Sequence, residues 1–238
     1  MPKKKIRIGI ELDNVIRDRN RQIAKYYQKD YDESIDLEEL DYKDDILNTL
    51  CEFKTNEEKL RFVYENYPLE IYGHAQQCER MLMRDINTWI LKLFNREDYE
   101  YEVFFYSESE YDLTIQSTYF FLSKCGARVR EMRFPLDVAS LSDMGDVFIC
   151  SKEDTANELK MRGNGVILIK TNYNKKAFDS ADMVCDSLKK FVNDDKSVDH
   201  IVEIYNNNLN KEDICKEGII SSIWRRFSTL FKKIQNVT

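Results

Sequence analysis

Two acids one residue apart, Glu11 and Asp13, close an alternating apolar run that begins at Ile6. A buried strand that ends in carboxylates delivers acid/base, nucleophilic or cation-binding groups to a site at its carboxyl end. Ser107 follows a second apolar run, Val103–Tyr106, and supplies a hydroxyl of the kind that bonds a phosphoryl oxygen. Cys150 and Ser151 follow a third, Asp146–Ile149, and carry a thiol and a hydroxyl where a cation-binding strand end would carry carboxylates. Glu153 and Asp154 lie just beyond, at the expected start of a helix, where acids are favoured by the helix dipole alone.

These residues need a frame that brings strand ends together. Strands are expected at residues 6–13, 101–106, 129–134, 146–150 and 165–170, with helices near 18–28, 75–94, 111–124, 153–162 and 187–207. Alternation of this kind predicts an α/β parallel sheet covered by helices on both faces. Residues 30–68, strongly acidic up to Asp45 and then apolar at helical spacing, read as a small helical insertion. The core is then 1–29 with 69–205, followed by a linker at 206–215 and a basic amphipathic helix at 216–238. That helix places Ile220, Ile223, Trp224, Phe227, Leu230 and Phe231 on one face and Arg225, Arg226, Lys232 and Lys233 on another, which suits docking to another protein.

The motif order resembles the haloacid-dehalogenase-like (HAD) superfamily, in its 5'-nucleotidase C-like branch. In that family the first strand carries an Asp nucleophile and, two residues on, an acid/base Asp. Glu11 stands at the nucleophile position and Asp13 is retained, while Ser107 fits the second motif. The long run from Gly145 to Lys160 resembles the fourth motif, but its paired acids align with Cys150 and Ser151. The third motif supplies a Lys shortly before that strand, yet residues 135–145 contain neither Lys nor Arg. Lys124, Arg130 or Arg133 would have to substitute.

The resemblance implies a HAD-like, Rossmannoid sheet with a cap-like insertion and a vestigial catalytic site of Glu11, Asp13 and Ser107. Mg²⁺ prefers octahedral oxygen ligation with one or two carboxylates, so Glu11 and Asp13 are the remaining metal candidates and are weak ones. Lengthening the nucleophile by one methylene misplaces it by about 1 Å, which costs on the order of 10²-fold in rate. The expectation is therefore a non-catalytic scaffold that needs no cofactor and works through protein partners as a homo- or hetero-oligomer. The alternative is a divergent Mg²⁺-dependent 5'-nucleotidase or phosphatase.

Composition narrows the setting. The 238 residues carry a net charge of -7, against a polyanion-binding role for the chain as a whole. Six cysteines without a C-x-x-C pair, and two distant histidines, suit reduced structural thiols rather than a zinc site. No run is long and apolar enough for a membrane span, and no secretion signal is expected. The abundance of Lys, Asn, Ile, Tyr, Asp and Glu suggests an AT-rich genome such as that of a large tailed phage, so the expected location is the cytoplasm or a virion, in its tail or portal region. There the acidic segment 30–45 of one copy would meet the basic helix of a neighbour.

Overall fold

The computed structural model describes residues 3–31, 46–48, 50, 53–107, 112–171 and 174–209. The expected docking helix, with Ile220, Ile223, Trp224, Phe227, Leu230 and Phe231, lies outside these residues, as does most of the acidic stretch 30–45.

Six parallel strands form one sheet in the order β3-β2-β1-β4-β5-β6. They are β1 (Lys5–Glu11), β2 (Glu100–Tyr106), β3 (Glu131–Arg133), β4 (Val147–Cys150), β5 (Gly165–Ile169) and β6 (Met183–Cys185). The chain leaves central β1 toward β2 on one side and later crosses to β4 on the other, so the crevice at their carboxyl ends is a topological switch point. In register, Glu11 pairs with Tyr106 and Ile10 with Ile149, which sets the residues after β2 and β4 on either side of the acids.

One face of the sheet buries Ile6, Ile8, Ile10, Phe105, Ile149 and Ile167 under α3 (Leu82–Phe94), α7 (Leu188–Asn193) and α8 (197–209). The other buries Phe104, Phe148, Cys150 and Leu168 under α5 (Val138–Met144) and α6 (Glu153–Met161). Gly9 has to be glycine here, because a Cβ would meet the Phe148 and Phe104 rings at 2.7 and 2.9 Å.

A separate apolar cluster lies between β1 and α3. It joins Ile23, Ala24 and Tyr27 of α1 (Arg19–Tyr31) to Phe53, Phe62, Val63, Ile71 and Tyr72, with α2 (Asn56–Arg61) on its exposed side. Its members thus extend to both sides of the bounds 30–68 expected for an insertion.

Three local expectations change. The helix expected from Ala75 starts at Leu82, because the preceding backbone is committed elsewhere: Asp18 N donates to Gln76 O and Cys78 N to Ile16 O, at 2.9 and 2.8 Å. The helix expected over 187–207 breaks at 194–196. It then continues through 209, so Asn206 to Leu209, expected to open a linker, are helical. Ile204 is buried there and Asn206 accepts the Tyr99 hydroxyl at 3.1 Å. α5, β6 and the break were not legible, since short elements show too few residues for a period.

Candidate functional site

Immediately after β1 the chain makes a tight reversal. Asn14 takes a left-handed backbone conformation (φ 60°), one that Asn tolerates better than most residues. The N–H groups of Ile16 and Arg17 both donate to Leu12 O, at 3.0 and 2.8 Å. This turn folds Arg17 back on the acid four residues earlier. Its guanidinium grips Asp13 Oδ1 through Nε at 2.9 Å and Nη2 at 2.8 Å, and neither side chain is more than 2% exposed.

Arg17 is held by more than its carboxylate. Nη1 donates to Thr118 Oγ1 at 2.6 Å, on α4 (Asp112–Cys125), and to Tyr72 O at 3.2 Å. The Tyr72 ring lies 4.8 Å from the guanidinium carbon. One cation thus links the end of β1, the segment around Tyr72 and α4. The other oxygen of Asp13, Oδ2, accepts from Ser107 Oγ at 2.6 Å. Burial by itself would raise the Asp13 pKa. The guanidiniums of Arg17 and Arg19, with the Ser107 hydroxyl, outweigh it and hold the carboxyl below its ordinary value.

Glu11 faces β4 instead. Its Oε2 accepts from Ser151 N at 2.6 Å and from Ser151 Oγ at 3.0 Å, and Lys152 Nζ stands 4.0 Å from Oε1. Asn174 Nδ2 donates to Ser151 O at 2.8 Å and to Ile169 O at 2.7 Å, fixing the loop after β4. Cys150 is buried at the strand end with its thiol free of any disulfide.

Glu11, Asp13, Ser107, Cys150 and Ser151 therefore converge at the carboxyl edge of the sheet. The three cations considered from the sequence do not. Lys124 Nζ donates to the carbonyls of Gly73 and Ala75, at 3.0 and 3.3 Å. Arg133 is engaged with Glu102, Glu131 and Met144 O. Arg130 lines a groove beside β3, together with Lys5 and Glu131.

Among the described residues the cations at the site are Arg17, Arg19 and Lys152, which sequence reasoning missed. The only signal in the sequence was the four-residue spacing of Asp13 and Arg17. Arg19 is 8% exposed and lies over the Tyr72 ring at 5.6 Å. Burial would lower its pKa, but Tyr72 and Asp13 raise it further, so the guanidinium stays charged.

Solved structures share this fold. A phosphonoacetaldehyde hydrolase-like protein from Oleispira antarctica superposes with a TM-score of 0.56 at 9% identity, over 87% of this chain and 94% of that one. The fold is HAD-like. A haloacid-dehalogenase-like family hydrolase from Xanthomonas campestris (TM-score 0.48, 10% identity, 87% and 99% covered) is also similar. So is a β-phosphoglucomutase from Clostridium difficile (0.47, 14%, 88% and 99%). No protein-family model and no curated protein matches the sequence.

A HAD-like fold raises the question of a divalent cation at the strand ends. The donors do not suit one. Both Asp13 oxygens are committed inside the protein, and the loop after β4 offers a thiol and a hydroxyl. Among the described residues no three His, Cys, Asp or Glu side chains come together to hold a metal. Arg17 puts a guanidinium against the carboxylate that such an ion would use. Also among the described residues, no helix is long and apolar enough to cross a membrane.

Proposed function

We propose that this chain is a phosphatase-type HAD-like scaffold that supplies its own cation and serves as a binding component of an assembly, not as a metal-dependent hydrolase. The observation that carries this reading is the Asp13–Arg17 pair. Carboxylate-mediated phosphoryl transfer needs an in-line oxygen and positive charge held at the transferring group. Here the acid/base candidate is buried, held on one oxygen by a guanidinium and on the other by Ser107. The nucleophile position is a Glu tied to the Ser151 backbone.

Nucleoside monophosphates and p-nitrophenyl phosphate, offered with Mg²⁺, are expected to show no turnover above a protein-free blank. Hydrolysis that disappears in a folded Asp13→Asn variant overturns the reading.

That outcome would establish the second reading, a divergent Mg²⁺-dependent phosphatase of 5'-nucleotidase type. Two things favour it: the fold is shared with proteins named as hydrolases, and Asp13 and Ser107 are in contact. The tail or portal role suggested by composition draws no support from the three solved structures named above.

The partner half of the proposal rests on the segment 216–238. The full chain is expected to show a solution mass that is a multiple of 28.4 kDa, reduced to the monomer by Trp224→Asp with Phe227→Asp. A monomeric wild type at all concentrations removes self-association through this segment.

A further inference from the structure

A groove of about 710 Å³ opens on the side of the molecule where the two connections to the insertion cross, and none of the strand-end residues described above lines it. Its floor is the pairing of residues 16–18 with 76–78, through Asp18 N to Gln76 O and Cys78 N to Ile16 O. Three elements far apart in sequence each bring one exposed cation to it: Arg21 from the first turn of α1, Arg80 from the 74–81 connection and Lys124 from the last turn of α4. Lys189, outside the lining and paired with Asp85 at 3.7 Å, donates to Arg80 O at 2.6 Å and so fixes the connection that carries Arg80.

This concentration of cations occurs in a protein whose net charge is -7. The groove also holds two acids, Asp18 and Glu79, which accept the backbone N–H groups of Arg21 and Lys189 at 3.2 and 3.1 Å and keep their charge, so the three lining cations outnumber them. The guanidiniums of Arg21 and Arg80 form no ion pair among the described residues. Cys78, Ala75 and Met81 supply an uncharged part of the wall, and burial pushes the Cys78 thiol well above its ordinary pKa, so an anion meets no thiolate there.

We infer that this groove binds a small, multiply charged oxyanion, either a phosphate ester or a polycarboxylate, held by Arg21, Arg80 and Lys124. Arginine presents a planar fork that matches carboxylate and phosphate oxygens in pairs. A single charge would satisfy one of these side chains; three converging from separate elements suit several. An occupant touches α1, the 74–81 connection and α4 together, so it would tie these three segments to one another independently of any chemistry at the strand ends.

Titration calorimetry of the full chain in buffer freed of metal by a chelating resin, at low salt, tests this, with pyrophosphate and tricarballylate as probes and acetate as the singly charged control. Saturable one-to-one binding of at least one multiply charged probe is expected, the preferred probe identifying the source. The paired substitution Arg21→Ala and Arg80→Ala is expected to weaken it by about tenfold or more, equivalent to about 1.4 kcal/mol, and added salt to weaken it further. Both positions are exposed, so the unliganded melting temperature should not move. Arg128→Ala with Arg130→Ala, in the separate groove beside β3, should leave affinity unchanged. Absence of saturable binding by both probes, acetate binding as tightly as either, or equal affinity in the Arg21/Arg80 variant overturns the inference.

Discussion

Replacing Arg17 with methionine is expected to cost about 3–5 kcal/mol of stability, the range for removing one partner of a buried ion pair. Methionine keeps much of the side-chain volume, so the loss is electrostatic. Asp13 is left as a buried carboxylate with Ser107 as its remaining partner, while Thr118 and the Tyr72 carbonyl lose a donor. Adding Asp13→Asn to the Arg17→Met background should return a large part of the loss, because the uncompensated charge is then gone. Urea unfolding of wild type, the two single variants and the double variant provides the cycle. A single-variant loss below about 1 kcal/mol would mean that the pair is not buried as described.

The same pair fixes a dependence on pH. The Asp13 pKa is lowered in the folded state, so its contribution is fully present above the unfolded value of about 4 and is lost as pH falls through the folded one. In Arg17→Met the buried Asp13 protonates first, so the stability gap to wild type should begin to narrow above about pH 4 and narrow further as pH falls through the lowered wild-type value. A gap that stays constant through that range would assign the loss to packing instead.

Trp89→Ala should be comparably severe, at about 3–5 kcal/mol for a large aromatic removed from a core. Trp89 is fully buried on α3, with its ring edge-on to Phe191 of α7 at a centroid distance of 6.0 Å. Its Nε1 donates to Ser197 Oγ at 3.0 Å, at the start of α8. One side chain thus fastens two later helices to the sheet. Trp89→Phe retains most of the ring contact and loses the hydrogen bond, so a smaller cost of about 1 kcal/mol is expected. Thermal unfolding of both variants separates the terms; equal melting temperatures would show that the hydrogen bond, and not the ring, holds the helices.

Much of the frame was legible because its long elements carry strong patterns. β1, β2, β4 and β5 are runs of apolar residues bounded by polar ones, and α3 repeats apolar positions at helical spacing. β6 has three residues, Met183–Cys185, too short for a pattern. The start of α3 was misplaced for a different reason. Residues 75–81 have a composition compatible with helix, but their backbone groups pair with residues 16–18, a partner sixty positions away. Local propensity cannot register a hydrogen bond made at that range.

The candidate site divides in the same manner. That Glu11, Asp13, Ser107, Cys150 and Ser151 share the edge of one sheet follows from each lying at or just after the carboxyl end of a strand, and strand ends are visible in the residues themselves. How charge is balanced there was not visible. The sequence indicated a pocket short of positive charge because no Lys or Arg occupies 135–145, whereas the folded chain draws its cations from the loop that carries the acids and from Lys152.

Residue order alone therefore determined the alternation of strands and helices and the acids and hydroxyls at the sheet's edge. Tertiary structure decided that Arg17 turns inward to Asp13, and that Arg21, Arg80 and Lys124 meet around one groove. The physical reason is that electrostatic interaction depends on distance and burial. Both are set by the path of the backbone through space, and neither is carried by the identity of the residue.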